Sequence, residues 1–229
     1  MAEKEGRGHY KPGKGKFAVL GLGNFGVTVA RHLQELGNEV LVVDQDDQRI
    51  GSLAEEFTHA IAADVSDERV LEELGLGDFD VAVVAIGEDL ESNVLCTLAL
   101  KHLGVPQVWV KAVSPQHHRI LGKLGADRIV HPEYEIGVHV AYSLNYPFVQ
   151  EYISLGNDYF VVELQLTEAL EGKTLAEVDL AGRFEVEFLA LKRGGTLMRD
   201  EADAAALRKG DHLVVLGRQS KLQALSEIL

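Results

Sequence analysis

The chain has 229 residues, 46% of them apolar, a single cysteine and a formal charge of −14. That is enough apolar material for one large buried core or two small ones. The charge is uneven, +3 over residues 1–16 and −17 over the rest (17 basic, 34 acidic), and so acidic a body repels nucleic acid and anionic lipid, both of which bind through phosphate. Cys96 has no partner for an internal disulfide, which fits a reducing cytoplasm, and its neighbours Val94, Leu95, Leu98 and Leu100 make it a core filler. No run approaches the ~18 apolar residues of a membrane span, and no secretory signal is visible. Residues 1–16, rich in Gly, Lys and His, are expected to be a disordered tail or an added leader.

In chain order, the apolar strand Phe17–Leu20 runs straight into Gly21-Leu-Gly23-Asn24-Phe25-Gly26 and then a helix with Val29, Ala30, Leu33 and Leu36 on one face. A G-x-G-x-x-G in this strand-to-helix position has a physical reading. Gly21 permits the tight turn, Gly23 lets backbone amides approach a diphosphate, and Gly26 lets helix and strand pack closely. The helix N-terminus then offers free N–H groups to phosphate. Glu39–Asp44 is the second strand, ending in an acid 18 residues past Gly26, where a carboxylate takes the ribose hydroxyls of adenosine.

Strands over 17–20, 40–44, 58–62, 81–86, 108–112 and 127–130 alternate with helices near 24–36, 47–56, 66–74, 89–103 and 115–124. This predicts an α/β fold with a Rossmann-like, doubly wound parallel sheet in the order 3-2-1-4-5-6. Ser114-Pro115 is a helix start, a cap followed by proline at the first position. After His131-Pro132 a helix is expected through Tyr142, broken near Asn145-Tyr146-Pro147 and resuming toward Ile153. From Tyr159 the pattern alternates. A strand over 160–166, a capped helix from Thr174 through Leu180, strands near 186–192 and 212–217 and a final helix from about 219 make a smaller α+β domain. The predicted organisation is therefore tail 1–16, nucleotide-binding domain 17–140, connecting helical segment 141–155 and C-terminal domain 156–229.

Ligands of open α/β sheets bind at the carboxyl ends of the strands. Those ends hold Asp44, Asp64, Gly87-Glu88-Asp89, Lys111 and His131-Pro132-Glu133. Asp64 meets the adenine edge or caps the next helix. Lys111 is a phosphate partner. Glu133, with nothing local to pair with, is a polar or metal ligand, or else a cap for the helix after Pro132. His117 and His118 point about 100° apart on their helix and read as a solvated face. Tyr10 and Lys14 have the Tyr-x-x-x-Lys spacing by chance, and no Ser-His-Asp or Cys-His arrangement has supporting context. The chain is therefore expected not to be an enzyme. The alternative, a small NAD-dependent oxidoreductase or NAD(H)-binding redox sensor, rests on the fingerprint alone. A DNA-binding redox repressor is opposed by the acidic body and the missing helix-turn-helix.

These residues resemble a family. Phe17–Gly26, Glu39–Asp44, Val83-Val-Ala85-Ile86-Gly87, Val108-Trp-Val-Lys111-Ala and Gly125-Ala-Asp-Arg-Ile-Val-His-Pro-Glu133, with the Leu207–Gly217 ending, resemble the cytoplasmic regulatory subunits of Ktr/Trk-type potassium uptake systems. Those subunits are built from RCK (regulator of K+ conductance) N- and C-lobes, and the match is to the Ktr type. The resemblance implies a homodimer assembled into an octameric ring on a separate membrane channel or transporter subunit. It places the protein in the cytoplasm, peripheral at the membrane through that partner, with ATP against ADP controlling K+ flux. It implies a nucleotide site of Gly21, Gly23, Asn24, Phe25, Gly26, Asp44, Asp64, Val65, Ala85, Ile86, Gly87, Lys111 and Glu133. The acid matching Asp44 holds ribose, and the one matching Glu133 serves Mg2+ or Ca2+ near the phosphates. Cyclic di-AMP at the C-lobe is implied by some members. Ktr-type subunits usually carry arginine where this chain has Asn24, and without that charged fork a bound terminal phosphate depends more on a divalent cation. The helix near 89–103 and the segment 137–153, with Val94, Leu98, Val138, Tyr142, Leu144 and Phe148, are expected to form subunit contacts.

Overall fold

Strand β1 (Lys16–Leu20) lies at the centre of a six-stranded sheet in the computed structural model, which describes residues 11–146, 149–199, 202 and 205–226. Tyr10, Pro147 and Phe148 lie outside the described residues. The order is β3 (His59–Ala62), β2 (Glu39–Asp44), β1, β4 (Val81–Val84), β5 (Gln107–Lys111) and β6 (Arg128–Val130), with every neighbour pair parallel. Alternation along each strand builds two cores. Phe17, Val19, Val40, Val42, Val81 and Val83 pack on one face with residues of α1 (Asn24–Glu35) and α2 (Asp47–Leu53). Ala18, Leu20, Leu41, Val43, Ala82, Val84, Val108 and Val110 pack on the other with α3 (Glu68–Glu73), α4 (Leu90–His102) and α5 (Pro115–Leu124). Strands buried on both faces are what nearly continuous apolar runs produce.

Caps set the helix starts. Asp46, Asp67, Asp89 and Ser114 each accept a backbone N–H at the head of α2, α3, α4 and α5, and Gly125 closes α5 in the left-handed conformation. Order begins ahead of residue 17: the Gly15 N–H donates to Asn38 Oδ1 and its carbonyl accepts from Glu39 N.

Helix α6 (Pro132–Asn145) contains the division of the chain into two units, between Tyr134 and Glu135. The expected second helical piece toward Ile153 is instead a strand, β7 (Val149–Gly156), paired antiparallel with β8 (Tyr159–Gln165). The hairpin follows from Asn157-Asp158, both at positive φ (51° and 67°), the geometry of a two-residue type I′ turn. The helix expected from Thr174 to Leu180 is two. A Thr174–Glu177 capping box starts α7 (Leu175–Val178); Asp179, at φ 53°, then ends it and caps α8 (Leu180–Phe184). Strands β9 (Glu187–Arg193), β10 (Thr196–Met198) and β11 (His212–Arg218) complete a five-stranded antiparallel sheet in the order β10-β9-β11-β8-β7, and α9 (Gln219–Ser226) follows. Strand β10 was not expected; Gly194-Gly195, both at positive φ, make its turn. Among the described residues no helix is long and apolar enough to cross a membrane.

Candidate functional site

A cleft of about 430 Å3 opens at the carboxyl ends of β1, β2, β4 and β5, where the strand order reverses. Twelve of the thirteen sequence-predicted residues line it: Gly21, Gly23, Asn24, Phe25, Asp44, Asp64, Val65, Ala85, Ile86, Gly87, Lys111 and Glu133. Gly26 lies beneath, where a Cβ would stand 1.9 Å from the Gly21 carbonyl oxygen, so only glycine allows this loop-to-helix approach. Gly21 takes φ +95° against Ile86. Gly23 is the N-terminal boundary of α1, has no side-chain cap, and a Cβ there would face open space. The head of α1 is thus open to an anionic group.

Asp44 is buried at 5% exposure and organises the loop. Its Oδ2 accepts from Leu22 N (2.6 Å) and Arg49 Nη1 (2.9 Å), and its Oδ1 accepts from Asp46 N (2.9 Å). Two acceptor positions serve each oxygen, which leaves Oδ1 the freer of the two for a ribose hydroxyl. Arg49, with Gln45, Asp46 and Ser92, also lines the cleft and was missed. Three of these follow β2 directly, so the strand-end rule that found Asp44 could have found them. Asp64 does not cap the next helix, since Asp67 does; its Oδ1 accepts from Ser66 N (2.9 Å) and Oγ (2.7 Å) in a turn beside the cleft.

Across the cleft, Glu133 is not partnerless as the sequence suggested. Lys111 Nζ stands 2.6 Å from its Oε1, and the same ammonium lies 6.0 Å from the Phe25 ring centroid. That hydrogen bond holds the Glu133 carboxyl below the usual carboxylate range. A Cβ on Gly87 would come within 3.0 Å of Lys111 Nζ, so glycine there makes room for the lysine. Among the described residues no group of three or more His, Cys, Asp or Glu is arranged to hold a metal ion.

The histidine pair needs correction as well. His118 is exposed and stacks on His131, but His117 is buried at 3% exposure, because α5 turns His117 and Leu121 to the core, one helical turn apart. Cys96 is fully buried, and burial pushes its thiol pKa well up.

A glycine loop at the switch point of a doubly wound parallel sheet, followed by a separate α+β unit, defines a two-domain protein with a Rossmann-like nucleotide-binding fold. The TrkA-N domain family matches residues 17–132 and the TrkA-C domain family residues 160–229. Ktr system potassium uptake protein A of Bacillus subtilis is 38% identical over 208 residues, covering 91% of this chain and 94% of its own. The protein of the same description from Vibrio alginolyticus is 38% identical over 212 residues, covering 93% and 96%. The chain belongs to the Ktr/Trk family, the RCK-type regulatory subunits of potassium uptake systems. The crystal structure of the GsuK RCK domain shares the fold, with a TM-score of 0.65 at 20% identity over 97% of this chain; this chain spans half the length of that one.

Proposed function

We propose that this chain is a non-catalytic, nucleotide-gated subunit that binds ATP or ADP in the β1–α1 cleft and controls K+ uptake through a separate membrane channel or transporter. The observation that carries the reading is the pairing, in one cleft, of an open α1 N-terminus and Asp44 with Lys111. Adenosine ribose sits on Asp44 Oδ1, the first phosphates lie over the Gly23 end of α1, and the terminal phosphate reaches toward Lys111 and Glu133. With Asn24 in place of arginine, Mg2+ or Ca2+ at Glu133 compensates the terminal charge.

Assembly as a homodimer and then an octameric ring, cytoplasmic and peripheral through its membrane partner, agrees with the exposed apolar side chains of α4 and α6. Leu98 is 50% exposed, Ile136 63% and Leu144 78%, and no residue of α6 is buried. Val94 is packed against its own core, while Val138 and Tyr142 are half-buried. Cyclic di-AMP is a candidate second ligand of the C-terminal unit.

A second reading, NAD or NADH in the same cleft, is favoured by Asn24, which offers no charged fork to a terminal phosphate. A shared fold with a structure described as the GsuK channel bound to NAD accompanies it. Calorimetry with ATP, ADP, NAD and NADP separates the two, and light scattering reports the mass. Binding of none of the four, or a monomeric mass at micromolar concentration, overturns the proposal.

A further inference from the structure

Behind the cleft lies a buried polar network that the nucleotide-binding reading does not use. Asn93 of α4 is fully buried. Its Nδ2 donates to the Ile86 carbonyl oxygen (2.7 Å) and the Lys111 carbonyl oxygen (3.2 Å), joining the carboxyl ends of β4 and β5. Its Oδ1 accepts from His117 Nε2 (3.1 Å). Both amide hydrogens and the carbonyl are used, so a flipped amide would set Oδ1 against two carbonyls, and the orientation is unique. The ring is then fixed too. Nε2 carries the hydrogen, and Nδ1 accepts from Val113 N (3.5 Å).

We propose that Asn93, held by neutral His117, is a positioning residue of the nucleotide site: it fixes the spacing of Ile86-Gly87 and Lys111, and protonation of His117 loosens that spacing and weakens nucleotide binding. The inference rests on the β1–α1 cleft being the nucleotide site. Gly87 and Lys111 approach closely there, a Gly87 Cβ having 3.0 Å to Nζ, so a shift of either strand end moves the ammonium paired with Glu133. Protonated His117 would turn a second N–H onto the Val113 N–H, donor against donor. The groups facing the His117 ring are Asn93 from α4, the Val113 amide from the β5–α5 turn and, through space, His131 after β6, of which His131 is ionisable; the Ser114 hydroxyl accepts from the His117 backbone N–H. Burial first and the His131 charge second hold the His117 pKa below the ordinary histidine value, so the neutral form prevails at neutral pH.

The test is calorimetry of the full chain with ADP at about pH 7.5 and about pH 5.5, with thermal unfolding followed in parallel. Asn93→Asp sets carboxylate oxygens against the Ile86 and Lys111 carbonyls. It is expected to bind ADP about tenfold or more weakly at the higher pH, and to recover at the lower pH, where the protonated carboxyl donates to Ile86. The parent is expected to change in the opposite direction. His117→Gln offers Asn93 an amide hydrogen and does not titrate, so its affinity should be level across the two pH values. It also serves if Asn93→Asp does not fold. If the parent binds ADP and both variants share its affinity and pH profile, the positioning role is overturned while the site stands. If the parent binds no ADP and Asp44→Ala is equally silent, the site reading falls and this inference with it.

Discussion

Replacing Asp44 with alanine acts on folding and on binding at once, and the structure separates the two magnitudes. For folding, the Leu22 N–H loses its acceptor inside the protein, since Leu22 is 2% exposed. An orphaned buried donor costs about 1–3 kcal/mol. Asp46 N–H is at a more open position and turns to water at a cost of about 0.5 kcal/mol. Arg49 is 44% exposed, so its lost partner is screened and adds little. The expected folding loss is about 2–3 kcal/mol. For binding, one ribose hydroxyl loses a charged acceptor, worth about 1.5–3 kcal/mol, or roughly tenfold to a hundredfold in affinity. Asp44→Asn keeps an acceptor for Leu22 and should fold within about 1 kcal/mol of the parent, yet bind weakly. Urea titration gives the first quantity and calorimetry with ADP the second. The parent should also refuse the 2′-phosphate of NADP, since Oδ1 faces it with negative charge. Equal affinity for ADP in parent and alanine variant, or equal affinity of the parent for ATP and NADP, refutes the ribose role.

Three further outcomes are expected. Gly26→Ala drives a Cβ to 1.9 Å from the Gly21 oxygen and should abolish nucleotide binding, whereas Gly23→Ala, with open space and φ −66°, should leave the urea midpoint unchanged and lower affinity only; equal damage by both would refute the assigned roles of the glycines. Glu133→Gln releases Lys111 from its 2.6 Å pair, so ATP should bind several-fold more tightly in EDTA and gain less from Mg2+ than in the parent; an unchanged ATP affinity with and without Mg2+ in both chains would make the pair purely structural. In the C-terminal unit the Asp211 side chain is 4% exposed and accepts from Arg193 Nε (2.8 Å) and Nη2 (2.6 Å), and hydrogen bonding to the Arg193 guanidinium holds its pKa below the ordinary value. A depressed carboxyl pKa stabilises fully above the unfolded value of about 4 and loses that contribution as pH falls through the folded value. Asp211→Asn should therefore cost about 3 kcal/mol at pH 7 and flatten the acid limb of the unfolding curve, and a variant with the parental acid limb would count against the pair.

The parallel sheet was legible because its central strands are apolar on both faces and the starts of α2, α3, α4 and α5 each have a capping side chain. Even β3 was found, although its residues are mostly exposed, because the alternation of strand and helix required a strand there. What escaped was local. Val149–Gly156 follows a helix and a proline and contains Tyr152 and Ile153, so an interrupted helix fitted as well as a strand. The deciding signal was Asn157-Asp158, a pair that accepts the positive φ of a hairpin turn. Asp179 broke a helix for the same reason, a short polar side chain tolerating the left-handed conformation and bonding its own backbone neighbour Gly182.

The site divides along a similar line. Residues that act from their own position on the backbone, such as Gly21 and Gly26 in a turn or Asp44 and Lys111 at strand ends, were visible because the motif or the strand fixes where they point. Residues whose role depends on a distant partner were not. Glu133 looked partnerless because Lys111 is 22 residues away in sequence, and only the parallel pairing of β5 with β6 brings the chain after β6 alongside it. Asn93 drew no reading from the sequence and His117 read as part of a solvated face; 24 residues apart, they meet only because α4 and α5 pack on one face of the sheet. A periodicity argument says that His117 and His118 cannot both face inward; it does not say which one does. The choice goes with Asn93: its two amide hydrogens are taken by the strand-end carbonyls, so its Oδ1 needs a donor, and a buried imidazole with one hydrogen supplies it.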